Sequence, residues 1–261
     1  MAIAIPLGIT SYTYRWAMRG GQLDAWKLID RTVELGLQVL QYLDNVPLDR
    51  WPDDDLRALR RAAEGRLTLQ VGMSGLDPQQ LSRYIEVAGL VGADLIRVTV
   101  TTDIDTAYGS LTDLLPRLRA AGVTVAIENH FDQRSDQLAA LMRRIADPHV
   151  AICLDTLNSI ALLEGPAETV ALLAPYAVSL HLKDGTTHRH GTAFRIAGTA
   201  LGEGLVDLPS LVRAVWAAGR RPPMLLEAWQ DPAADEAATL AAEQALIERS
   251  IAYMRELARL S

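Results

Sequence analysis

Four stretches decide the fold: VTVAIENH (123–130), VAICLDTLN (150–158), AVSLHLKD (177–184) and PMLLEAW (223–229). Each is a short run of β-branched and apolar residues, the signature of a buried strand. Near the end of each stands a residue able to bind a metal: Glu128, Asp155, His181 and Glu227. Four more runs of the same kind precede them: IPLGITSY (5–12), LQVLQYLD (37–44), LTLQVGMS (67–74) and ADLIRVTV (93–100). Between the runs lie segments of helical periodicity, such as LDAWKLIDRTVELG, LSRYIEVAGLVG, LTDLLPRLRAAG and LPSLVRAVWAAG. Gly36, Gly92, Gly122 and Gly219 stand where a helix would end in a left-handed residue.

Eight strands alternating with helices imply a parallel sheet, and eight units favour closure into a barrel over an open sheet. The chain has 261 residues, the usual size of one such barrel, about 250 residues. The expected architecture is an α/β protein of one domain, a (β/α)8 TIM barrel spanning residues 1–261. No G-x-G-x-x-G follows the first strand, so a dinucleotide fold gains no support. Between the last two strands the chain runs through GTTHRHGTAFRIAGTALGEGLVDL (185–208), and this extra length predicts a lid or substrate loop over the C-terminal face. An Ala-rich stretch at 233–245 is read as the last helix.

Composition narrows the function. A net charge of −7 and the absence of a dense basic run argue against a nucleic-acid partner. RALRRAAEGR (57–66) has helical spacing with an acid inside it and is read as a solvated face. No apolar run approaches the roughly 20 residues of a membrane span. MAIAIPLGIT lacks a basic n-region and a long h-region, so no signal peptide is expected. Cys153 is the single cysteine, which excludes internal disulfides and fits a reducing, cytoplasmic compartment.

In each of the four decisive strands, the residue two before the metal-capable one shares its face: Ala126, Cys153, Ser179 and Leu225. Ile127, Leu154, Leu180 and Leu226 fall on the other face, against the helices. The four polar residues are therefore expected to converge inside the C-terminal rim. Any one of them alone could be a helix cap or half of an ion pair. Three carboxylates brought together would repel and raise one another's pKa, a cost that a bound dication removes. Three carboxylates and an imidazole favour Mn2+ or Mg2+, with Co2+ and Zn2+ as contenders.

IENH (127–130), CLDTLN (153–158), HLKD (181–184), LGEG-x-VD (201–207) and LLE (225–227), together with VLQYLDN-x-PL (39–48), resemble the sugar phosphate isomerase/epimerase families of the xylose isomerase-like barrels. The resemblance implies one divalent cation, commonly Mn2+, at Glu128, Asp155, His181 and Glu227. It also implies acid/base work by the two glutamates on either side of a small carbohydrate substrate, and a homodimer or homotetramer. A metal chelating a carbonyl and its neighbouring hydroxyl stabilises the enediolate formed when the α-proton leaves. Two bases on opposite sides give epimerisation; one base returning the proton to the next carbon gives isomerisation.

His130 and Lys183 join the catalytic candidates, Lys183 either on a substrate oxygen or in a rim salt bridge with Glu227. Tyr12 and Trp16 occupy the place after strand one where the resembled families put aromatic residues against the sugar. Gln41 and Asn45, Asn158, His188 and Arg195 complete the expected substrate contacts, the last for an anionic group. Tyr42 and Trp26 are assigned to the core. Ketose 3-epimerases of this kind carry His, Glu and Arg where the chain has Asn158, Arg134 and Thr187, which argues against a free ketohexose. Rival readings are a lyase that expels a β-leaving group from an inosose or 3-keto-glycoside, an endonuclease IV-like nuclease, for which five histidines are too few, and a non-catalytic barrel subunit.

Overall fold

The computed structural model describes residues 5–260. The limits of the expected domain and the first residues of MAIAIPLGIT, 1–4 and 261, lie outside them. Eight parallel strands close into a barrel in the order β1, β2, β3, β4, β5, β6, β7, β10, with β10 returning to β1. They are β1 (Leu7–Thr10), β2 (Val39–Tyr42), β3 (Thr68–Gly72), β4 (Leu95–Thr99), β5 (Thr124–Glu128), β6 (Val150–Asp155), β7 (Ala177–Leu182) and β10 (Met224–Leu226). Each falls inside one of the eight runs expected from the sequence.

The helices that cover the barrel begin and end where local chemistry dictates. Asp24, Asp77, Asp103, Asp207 and Asp235 each accept the backbone N–H three residues on, capping α2 (Ala25–Glu34), α4 (Pro78–Val91), α5 (Ile104–Ala121), α8 (Leu208–Ala217) and α9 (Glu236–Ala258). Gly92 and Gly122, at φ +75° and +65°, turn the chain out of α4 and α5 in a conformation that a side chain would strain. The remaining helices are α1 (Arg15–Arg19), α3 (Asp53–Ala63), α6 (Ser135–Ile145) and α7 (Pro166–Leu173). RALRR lies on α3, where Leu56 and Leu59 are buried. No helix among the described residues is long and apolar enough to cross a membrane.

Alternation along the strands divides the core. Ile127, Leu154, Leu180 and Leu226 pack outward against the helices, while Leu95, Ala126 and Cys153 meet inside the barrel. Tyr42 is buried, with its hydroxyl on the Ala25 carbonyl. Trp26 is not core: it is 38% exposed and tilts against Trp51 with ring centres 6.0 Å apart. Its place on the outer face of α2, beyond the apolar stripe of Leu28 and Ile29, explains the difference.

The long segment after β7 is a second correction. Residues 185–208 open with an antiparallel hairpin, β8 (Asp184–His190) and β9 (Ala193–Thr199), paired from Asp184↔Thr199 to His190↔Ala193. Gly191, at φ +61°, turns its tip.

Candidate active site

Strand register sets the site. Asp155 on β6 is paired with His181 on β7, and His181 with Leu225 on β10, which places Glu227 one inward-facing position further out. Glu128 on β5 is level with Cys153, one inward position below Asp155. This stagger, inherent in a closed tilted sheet, spreads the four residues over neighbouring layers. All four side chains converge nonetheless. His181 Nδ1 lies 2.9 Å from Glu227 Oε2 and 3.5 Å from Glu128 Oε2.

Lys183 stands in the middle of the acids. Its Nζ is 2.8 Å from Glu227 Oε1, 3.1 Å from Asp155 Oδ2 and 3.8 Å from Glu128 Oε1, and it lies under the Trp229 ring at 4.3 Å. Arg97, inward-facing on β4, donates Nε to Glu128 Oε2 and reaches to 3.8 Å from Asp44. Asn158 donates to Glu128 Oε1 at 2.7 Å and accepts from Lys183 at 3.2 Å. Asp155 Oδ1 accepts the backbone N–H groups of Leu157 and Asn158. Asn129 bridges the strands, accepting the Asp155 N–H and donating to its carbonyl.

These contacts revise the electrostatic premise. Three carboxylates meet two fixed cations, so repulsion among them does not by itself demand a metal. Burial opposes ionisation of Glu128, but Arg97, then His181 and Lys183, outweigh it and hold its carboxyl well below the ordinary range. At Glu227 burial is likewise outweighed, by Lys183 and His181, and the carboxyl is held at about 2. Asp155 goes the other way: burial, with Glu128 and Glu227 adding to it, outweighs Lys183 and raises its pKa.

The donor atoms themselves make the stronger case for a cation. His181 Nδ1 faces Glu227 Oε2 at 2.9 Å and Asp155 Oδ2 faces Lys183 Nζ at 3.1 Å, all of them buried. Gln41 Oε1 lies 2.7 Å from His181 Nε2 and fixes the ring, and although burial disfavours its charge, Cys153, Glu227 and Glu128 raise the imidazole's pKa well above the usual value. Loss of the His181 proton would leave the Nδ1 lone pair facing Glu227 and Glu128, an arrangement that suits a cation in the proton's place. Glu128, Cys153 and His181 form the tightest group, with ligand-capable atoms all within 4.8 Å. The oxygen and imidazole donors fit a divalent ion, and the Cys153 sulfur beneath them adds a softer candidate that the sequence had offered only as a small partner on that face.

Other expected contacts fall in three places. Gln41 is sealed beneath His181, its amide nitrogen on Gln70, so it supports the imidazole from inside the barrel. Asn158 is likewise committed to Glu128 and Lys183. Tyr12, Trp16 and Asn45 line a cavity between the loops after β1 and β2, with the Tyr12 hydroxyl on Asp44 at 2.8 Å. His130 is half-buried at the mouth, its ring 3.9 Å from that of Phe131. His188 and Arg195 face each other across the exposed hairpin, bonded to Thr186 and Asp231, and are not brought to the acidic cluster. Arg97 was missed from sequence. Its signal was a charge inside LIRVTV (95–100), a run otherwise fit for burial on both faces, where an arginine needs a partner.

The fold and this cluster define a class: (β/α)8 barrels with an acidic, imidazole-bearing centre at the C-terminal ends of their strands. The family model described as xylose isomerase-like TIM barrel matches residues 23–257, and the chain belongs to that family. A curated relative, the 3-oxo-isoapionate decarboxylase of Pectobacterium atrosepticum, is 27% identical over 259 residues, covering 95% of this chain and 94% of the relative. A xylose isomerase-like TIM barrel protein from Mycobacterium smegmatis in complex with magnesium superposes with a TM-score of 0.70 at 17% identity, covering 97% and 99% of the two chains. D-psicose 3-epimerase with D-tagatose from Clostridium cellulolyticum H10 gives 0.74 at 15% identity, covering 98% and 99%.

Proposed function

We propose that the chain is a divalent-metal-dependent isomerase or epimerase acting on the carbon beside the carbonyl of a small keto-sugar or keto-sugar acid. The observation that carries this reading is the burial of Glu128, Asp155, His181 and Glu227 in one cluster at the strand ends, with His181 Nδ1 facing two carboxylates. These four residues would hold the ion, manganese first, with magnesium, cobalt or zinc as the other candidates. Bound there, it would polarise a carbonyl and its neighbouring hydroxyl and acidify the carbon between them.

The two glutamates are not equivalent. Glu128 has one oxygen on Arg97 and the other on Asn158, so it serves as a fixed ligand. Glu227 turns Oε2 to His181 Nδ1 and holds Lys183 against Oε1. Glu227 and Lys183 therefore form the proton-handling pair, one to take a proton from carbon and the other to return it. A single pair favours transfer between adjacent carbons over inversion by two opposed bases. His130, with Phe131 and Trp229, walls the mouth.

A second reading is favoured by the decarboxylase relative. Loss of CO2 from a β-keto acid leaves the same electron pair beside the carbonyl as loss of a proton, and Lys183 is placed to protonate it. Incubation of the manganese-loaded chain with keto-sugars and 3-keto-sugar acids in D2O separates the two. Deuterium at the α-carbon of a recovered or isomeric sugar is the expected isomerase result, and CO2 release marks the decarboxylase. A loaded chain that does neither contradicts the reading of this site.

A further inference from the structure

A cavity of about 760 Å³ lies between the loops after β1 and β2, bounded by Tyr12, Arg15, Trp16 and Arg19 on one side and by Asn45 and Trp51 on the other. Its two arginines stack on one ring, with the Arg15 and Arg19 guanidinium carbons 4.8 and 5.8 Å from the Trp16 centroid. Among the described residues neither arginine forms an ion pair. The acids around them bond to other donors, although Asp231 and Glu243 still favour the Arg15 charge from beyond contact distance. Asp231 is paired with Arg195, Glu243 accepts the Trp16 and Ala17 N–H groups, Asp24 caps α2 and Asp44 accepts the Tyr12 hydroxyl. Arg15 donates Nη2 to the Gln230 carbonyl, but its Nε is buried without a hydrogen-bond partner.

Such an N–H is costly to leave unmade, and a guanidinium fork matches a carboxylate or phosphate. The cavity wall is tied to the catalytic cluster through bonded residues. Gln230, which anchors Arg15, is three residues beyond Glu227, and Tyr12 is joined through Asp44 to Arg97, the partner of Glu128.

We propose that this cavity receives the anionic end, a carboxylate or a phosphate, of a polyhydroxylated substrate whose carbonyl end lies at Glu227 and Lys183. The inference rests on the keto-sugar reading of the site and narrows its substrate to an acidic sugar. Arg15 and Arg19 bind the charge, and Trp16 holds their planes in place.

The test is a set of tryptophan-fluorescence titrations of the full chain, since Trp16 and Trp51 line the cavity. D-fructose is the neutral probe, D-fructose 6-phosphate the phosphate probe and 5-keto-D-gluconate the carboxylate probe. At least one anionic probe is expected to bind about tenfold more tightly than D-fructose, the worth of one charge-assisted hydrogen bond. Which of them does so identifies the group. Arg15→Gln with Arg19→Gln should erase the preference; Arg19→Gln alone, at an exposed position, should reduce it if the double variant does not fold. Equal binding of all three probes, or a preference undiminished in the folded variants, overturns the proposal. Glu227→Gln keeps the preference while losing turnover, so an anion preference without any α-carbon chemistry would sink the proposed function and leave the cavity standing.

Discussion

Lys183 and Arg97 are buried cations whose neighbours are carboxylates, and they differ in what their loss should do. Lys183→Met keeps the volume and removes the charge beside Glu227 and Asp155. Turnover should fall about 10²–10⁴-fold, the usual worth of a positioned proton donor, while divalent-metal affinity rises because a competing cation is gone. Steady-state kinetics at saturating manganese, with a metal titration, check both; unchanged turnover would remove Lys183 from the chemistry. Arg97→Met instead strands Glu128. Unfolding of the metal-free variant in urea should show about 3–5 kcal/mol lost, the cost of breaking a buried pair, and a loss near zero would mean that Glu128 finds another partner. The four strand-end candidates were legible because each polar residue closes an apolar run. Their supporting cast was not, because which inward positions of β2 and β4 meet those of β5 and β7 depends on barrel closure, and this brings Gln41 to His181 across 140 residues.

At the scale of elements, the hairpin of β8 and β9 is tied down by one side chain. Asp184 accepts the backbone N–H groups of Gly185, Gly202, Gly204 and Val206, and so gathers both ends of the segment that leaves and rejoins the barrel. A Cβ at Gly204 would stand 2.1 Å from Asp184 Oδ1, so that loop approaches only as glycine. Asp184→Ala leaves these donors unmatched and is expected to cost roughly 3 kcal/mol or more. It should also speed tryptic cleavage at Arg189 and Arg195 in the exposed hairpin. Cleavage at the wild-type rate would show that the hairpin is held by other means. The final residue of HLKD thus serves the loop, a role that the sequence pattern does not distinguish from substrate binding. The hairpin itself escaped notice because its Gly and Thr content resembles a loop.

For the whole molecule, the account depends on a divalent ion within a barrel whose eight strands and helix-ending glycines were plain in the chain. The premise that acids crowd together only around a metal was too simple, since the barrel supplies Arg97 and Lys183 from within. The ion must therefore be measured directly. The chain, stripped with chelator and then titrated with manganese, should take up about one equivalent. Its thermal midpoint should rise by about 5–10 °C at a hundredfold excess over Kd, a stabilisation of about 2.7 kcal/mol. Glu227→Gln with Asp155→Asn should abolish both effects. A wild-type chain that takes up no manganese, magnesium, cobalt or zinc, and melts at the same temperature with and without them, would contradict the account at its centre.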